Sequence, residues 1–91
     1  MPGIKRPNVS KKARAVAIEF VASELRRRIT DKGPGTFASI HEIMGVISEE
    51  YNELKDAVHK NEMIDVEKEL ADIAVACIFS LACIHEDHLS W

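Results

Sequence analysis

A chain of 91 residues, 46% hydrophobic and with one Trp, one Tyr and three Phe, fits a single domain with a modest core and excludes a second domain. The longest apolar run, Ile73 to Ile84, falls short of the ~20 residues that a bilayer-spanning helix needs, and the N-terminus has neither the apolar segment nor the cleavage site of a signal peptide. The formal net charge of −3 hides an asymmetry: nine Lys and Arg face only Glu19, Glu24 and Asp31 up to Gly35, whereas Lys55, Lys60 and Lys68 alone oppose twelve carboxylates from Thr36 onward. That arrangement suits cations at one end and phosphates at the other.

Residues 1–10 hold two prolines, a glycine and no apolar periodicity, so they read as a flexible basic tail ending at Ser10, a helix N-cap, with one helical domain over 11–91. From Lys11 to about Thr30 the residues Ala17, Ile18, Val21, Leu25 and Ile29 recur at spacings of three and four, which predicts an amphipathic helix. The segment Asp31 to Thr36 ends it, because Gly33, Pro34 and Gly35 interrupt a helical ladder. A second helix opens at Ser39, which has capping-box spacing to Glu42, with Thr36 as a competing cap, and runs to about Lys60. Its regular stripe of Ile40, Met44, Ile47, Tyr51, Leu54 and Val58 predicts the face packed in a bundle. Asp65 is the expected cap of a third helix reaching about Glu86.

Between Ile73 and Ile84 this last helix is apolar almost all round, which calls for burial on every side and for cover from another subunit. Cys77 and Cys83 are six apart on one helix and cannot easily bridge, so free thiols in a reducing cytoplasm are expected. The fold expected from the pattern is therefore an all-α bundle of about three helices per chain, completed by oligomerisation and without membrane contact.

The chemistry lies beside the apolar stripes. On the second helix Ile43, Val46, Glu50, Glu53 and Ala57 form a neighbouring line in which two carboxylates replace apolar residues, and Glu49 adds a third at i,i+4 from Glu53. On the third helix Glu69, Asp72, Ala76, Phe79 and Cys83 make a stripe that begins acidic and turns apolar. Carboxylates that close repel, and burying them unpaired is costly, so a positive charge belongs among them. Magnesium takes oxygen ligands and binds through a few carboxylates together with substrate phosphates. Di-iron bundles need Glu-x-x-His, and neither Glu50-Tyr-Asn-Glu53 nor Glu69-Leu-Ala-Asp72 has the histidine. Acidic residues on helices are most often solvated, but two such pairs on apolar-flanked stripes shift the balance toward a site.

Glu49-Glu50-Tyr51-Asn52-Glu53 followed by Glu69-Leu70-Ala71-Asp72 resembles the EExxE…ExxD signature of the MazG-like all-α nucleoside triphosphate pyrophosphohydrolases, over about Phe37 to Ile84. The resemblance implies hydrolysis of nucleoside or deoxynucleoside triphosphates to monophosphate and pyrophosphate with Mg²⁺, for which Mn²⁺ can substitute, in a homodimer or homotetramer. It implies Glu50, Glu53, Glu69 and Asp72 as metal ligands and Glu49 as a further ligand or the residue that positions the attacking water, so that Glu49, Glu50 and Glu53 form the catalytic set. The family's helical fold and a possible role in nucleotide-pool house-cleaning follow from the same likeness.

Positive side chains should reach the phosphates, and Lys55, Lys68 and Arg28 within the Arg26-Arg27-Arg28 cluster are the candidates. Phe37 and His41 are available to stack on a base or hydrogen-bond it, although a helix-start histidine can equally cap or pack. His85 and His88 have chelating i,i+3 spacing but lie near a chain end without further ligands, which disfavours zinc. The competing function is a non-catalytic helical oligomerisation module with a basic nucleic-acid-binding arm. No aromatic interleaving, zinc-finger spacing or helix-turn-helix pattern supports base reading, and that role leaves the paired carboxylates unexplained.

Overall fold

In the computed structural model, which describes Gly3 and residues 5–89, Ser10 opens helix α1 (Lys11–Lys32) as expected, its Oγ accepting a hydrogen bond from the Ala13 N–H at 3.0 Å. Met1, Pro2 and Ile4 of the expected tail, and Ser90 and Trp91 of the expected domain, lie outside the described residues. The helix continues past Thr30 to Lys32, with an Arg27–Asp31 ion pair of 3.3 Å across its last turn. Gly33 then ends it at φ 82°, a conformation costly for any side-chain-bearing residue, while its N–H donates to the Ile29 carbonyl at 2.8 Å.

Helix α2 (Ile40–His59) has Ser39 as its cap: the hydroxyl accepts from the Glu42 N–H at 3.2 Å. The Glu42 carboxylate reaches back to the Ala38 N–H at 2.6 Å, one residue before the position a capping box normally serves. Thr36, the competing cap, stays outside the helix, its hydroxyl donating to the Phe37 carbonyl at 3.0 Å.

Asn61, at φ 56°, folds the chain back, with its N–H donating to Val58 O at 3.1 Å and the Glu62 N–H to Ala57 O at 3.3 Å. This turn is so tight that helix α3 (Met63–His85) starts before the expected cap. Glu62 takes the cap position without a side-chain cap bond, and Asp65 instead places its charge in the first turn, where the helix dipole favours it.

Helix α3 is the centre of the structure, packing along α2 and against α1, while the backbones of α1 and α2 do not meet. The buried apolar residues are small: Ala57, Ala71, Val75, Ala76 and Cys83. Small side chains let α2 and α3 approach closely. The stripe read from the sequence on α3 holds, with Glu69, Ala76 and Cys83 buried and Asp72 and Phe79 half-buried.

On α2 the expectation holds only in part. Ile47 and Leu54 of the stripe assigned to packing are half-buried, but Ile40, Met44, Tyr51 and Val58 are 54%, 68%, 56% and 52% exposed, and the neighbouring line turns inward at Ile43, Val46, Glu50 and Ala57 while its Glu53 stays exposed. The inward line brings acids onto α3, where the acids of that helix also lie. On α1, Ile18 is likewise exposed, and only Val21 and Leu25 of its stripe are half-buried.

The chain extends 49 × 29 × 28 Å with a radius of gyration of 15.7 Å. A compact chain of this length has about 12 Å, and the exposed non-helical residues 5–10 and the cleft beside α1 both contribute to the larger value. The apolar segment of α3 keeps an open side, with Leu81 and Ile84 exposed. Among the described residues no helix is long and apolar enough to cross a membrane, there is no strand, and Cys77 and Cys83 are free thiols.

Candidate metal centre and its cleft

Helix periodicity sets the first part of the geometry: residues three apart share a face, so Glu50 and Glu53 project together from α2, and Glu69 and Asp72 from α3. The hairpin at Asn61 then brings the two faces together. One carboxylate oxygen from each of Glu50, Glu53, Glu69 and Asp72 lies within 4.8 Å of the other three. Glu69 is buried, Glu50 and Asp72 are half-buried, and Glu53 is exposed at the rim.

The electrostatics of the group are those of partly buried carboxylates that repel one another. Burial, followed by a hydrogen bond and repulsion from Glu53 and then repulsion from Asp72, pushes the Glu69 carboxyl up to about 7, with Lys68 acting weakly in the opposite direction. Burial likewise raises Glu50, with Asp72, Glu53 and Glu49 adding to the shift and Arg28 opposing it. Glu50 Oε2 and Glu69 Oε2 are both buried and accept no hydrogen bond. Leaving buried carboxylate oxygens unpartnered is expensive. A hard divalent cation removes the repulsion and partners both oxygens, so these residues fit such an ion.

A cleft of about 360 Å³ opens beside this cluster, between α1 and α2 and floored by α3. Leu25, Ile29, Val46, Phe37 and Phe79 line its apolar part. Phe37 and Phe79 meet edge to face with centroids 5.4 Å apart, an arrangement the ring quadrupole favours. Glu49 and Glu50 line it from α2, and Arg28 and Lys32 from α1. Glu50 is therefore shared: it belongs both to the carboxylate cluster and to the cleft wall.

Of the residues singled out in the sequence for substrate, Arg28 and Phe37 line the cleft. Lys55, Lys68 and His41 are exposed and not among its lining residues, and Lys68 instead lies near enough to Glu69 to favour its charged form. Lys32, Val46 and Phe79 enter the cleft without having been singled out for substrate. A signal for Lys32 existed, since it follows Arg28 by one helical turn, but it looked like the end of a solvated face. The arginine cluster divides: Arg26 bonds Glu19 at 2.8 Å and Arg27 bonds Glu24 at 2.8 Å, on the exposed side of α1. His88 lies 3.8 Å from Glu86, and among the described residues the acid quartet is the group with metal-holding geometry.

Comparison with known proteins agrees with this geometry. Neither the curated proteins nor the solved structures give a match. The profile of the MazG nucleotide pyrophosphohydrolase domain matches residues 38–90, which include α2, the tight turn and α3 with all four clustered carboxylates. The chain, an all-α fold carrying that domain over more than half its length, belongs to the MazG nucleotide pyrophosphohydrolase domain family.

Proposed function

We propose that this protein is a Mg²⁺-dependent nucleoside triphosphate pyrophosphohydrolase that cleaves (d)NTP to (d)NMP and pyrophosphate. The observation that carries the reading is the convergence of Glu50, Glu53, Glu69 and Asp72 within 4.8 Å, with two buried oxygens lacking partners, inside a MazG-family domain. These four side chains hold the metal, and Mn²⁺ replaces Mg²⁺ because both accept an all-oxygen ligand set. The chemistry that the ion supplies when bound is neutralisation of phosphate oxygens and acidification of water.

The protein's own residues do the rest. Glu49, exposed at the cleft and not among the clustered ligands, orients the attacking water and accepts its proton. Water oxygen bonds to phosphorus, the α–β anhydride breaks, and pyrophosphate leaves with the electron pair of the broken bond. Phe37 and Phe79 offer aromatic surface for the base, and Arg28 and Lys32 offer charge for the phosphates. Such a catalyst acts in the cytoplasm as a guardian of the nucleotide pool.

Assembly belongs to the same reading. The outward stripe of Ile40, Met44, Tyr51 and Val58 on α2 and the exposed Leu81 and Ile84 on α3 are surfaces that a dimer or tetramer of this chain buries. Met44→Glu should shift the sedimentation coefficient to that of the monomer, and an unaltered coefficient would remove α2 from the interface. The reaction itself is tested by incubating the purified protein with canonical and modified (d)NTPs and Mg²⁺, following pyrophosphate release for the native chain and for Glu53→Gln. Metal-dependent release that disappears in the variant is the expected result. A folded native chain that releases none from any nucleotide would refute the activity and leave the non-catalytic assembly module.

A further inference from the structure

The carboxylate cluster and the cleft meet at one ion pair, and its partner comes from outside the family match. Arg28 on α1 lies 3.9 Å from Glu50 Oε1, with the two side chains 30% and 14% exposed. Glu50 thus looks both ways: Oε2 is buried without a hydrogen bond, while Oε1 is the atom nearest Arg28. At 3.9 Å the contact is electrostatic only, too long for a hydrogen bond. Its neighbours differ. Arg26 and Arg27 are hydrogen-bonded to carboxylates at 2.8 Å on the exposed face of α1. Arg28 is the arginine of the cluster that lines the cleft, and it has no short bond to surrender when an anion arrives.

We propose that Arg28 is a nucleotide-phosphate contact parked against Glu50 in the resting protein, so that nucleotide entry draws its guanidinium away from Glu50 and onto the triphosphate. This inference rests on the pyrophosphohydrolase reading and deepens it by joining the cleft to the metal centre through a residue of α1. Two consequences follow from charge alone. Before nucleotide binds, Arg28 weakens the attraction of the quartet for a cation, because it is a positive charge beside one ligand. Once the guanidinium turns to phosphate it adds a planar, two-pronged donor that a lysine cannot reproduce. Nucleotide and metal therefore favour each other's binding.

Arg28→Gln separates this role from a structural one because its effects on the two ligands have opposite sign. Titration calorimetry of the full chain with Mn²⁺ alone should show binding tightened at least about tenfold in the variant, less than the unscreened repulsion of a neighbouring charge because solvent reaches the partly exposed Arg28. Titration with an α,β-methylene triphosphate in the presence of Mg²⁺ should show binding weakened at least about tenfold, as for loss of a charge-assisted bidentate contact. Arg28→Lys should restore the native Mn²⁺ affinity while recovering only part of the nucleotide affinity, and its melting curve verifies folding independently.

Unchanged or weaker Mn²⁺ binding in Arg28→Gln, or unchanged nucleotide binding, overturns the proposal while a native chain that still binds and cleaves nucleotide keeps the enzymatic reading. A native chain that binds no nucleotide overturns both.

Discussion

The two halves of this molecule are built on different principles. The α2–α3 hairpin is tightly joined, packs through small side chains, and concentrates negative charge where the helices touch. The backbone of helix α1 approaches only α3; α1 carries the positive charge, leaves a cleft between itself and α2, and meets α2 through the Arg28–Glu50 ion pair. In the hairpin the carboxylate cluster is placed by the packing itself, since the residues with metal-holding geometry sit among those that hold the helices together. In α1 the contribution is a wall and two cations, and the backbone stands off. The pair shows how a small chain makes a cleft: one closely packed element carries the carboxylate cluster, and a second, standing off from α2, supplies the facing wall.

Breaking the hairpin's side of this contrast should have the largest effect. Glu69→Gln is expected to lower kcat for nucleotide cleavage by at least about a hundredfold, beyond the usual loss from a residue that only orients a metal ligand. The same substitution should raise the melting temperature of the metal-free protein at pH 8, because it removes a buried charge repelled by Glu53 and Asp72. Activity lost together with stability would mean instead that Glu69 is simply a structural residue.

The pH dependence of stability sharpens the same point. The Glu69 carboxyl stands at about 7 in the folded protein, above its ordinary 4.5. The folded state thus holds a proton that the unfolded state releases, and the stability this contributes is complete below about pH 4.5 and lost as pH rises through about 7. The upward shift of Glu50 acts in the same direction. In EDTA the melting temperature should fall between pH 5.5 and pH 8, and Mg²⁺ should restore it at the higher pH. A fall of equal size in Glu69→Gln would assign the dependence to other groups.

In the cleft that α1 and the hairpin share, Phe79→Ala removes from α3 the ring that meets Phe37 edge to face. A loss of about 2–3 kcal/mol in denaturant unfolding is expected, near the lower end for aromatic truncation because the ring is only half-buried. KM should rise more than kcat falls, since the ring lies in the cleft rather than in the carboxylate cluster. The smallest effect belongs to the start of α2: Ser39→Ala should cost about 1 kcal/mol through the lost cap and leave kcat nearly native. A larger fall in kcat would show that the register of α2 at its N-terminus reaches the ligands.

Much of this architecture was legible in the amino acids. Ser10, Ser39 and Gly33 fix where helices begin and end because each meets a backbone demand that is local: a free N–H to accept, or a positive φ to adopt. The i,i+3 spacing of Glu50 with Glu53 and of Glu69 with Asp72 determined that each pair shares a helix face. The MazG resemblance read from those residues agrees with the family match.

What local pattern could not decide was which of two adjacent α2 stripes turns inward. By apolar content, the line of Ile40, Met44, Ile47, Tyr51, Leu54 and Val58 was the natural core, yet the structure half-buries only Ile47 and Leu54 of it and buries Ala57 on the line bearing Glu50. Periodicity measures how well a face separates from its opposite, not which partner the face meets. The packing of α2 along α3, through buried Ala57 and the small buried side chains of α3, settled that choice. The same holds for the cations expected to meet phosphate. Lys55, Lys68, Arg28 and Lys32 are alike as cations in the sequence, and only the fold shows that Arg28 and Lys32 line the cleft while the other two stay outside it. Sequence determined the faces and their chemistry, and tertiary packing decided which faces meet, because that choice depends on contacts between residues far apart in the chain.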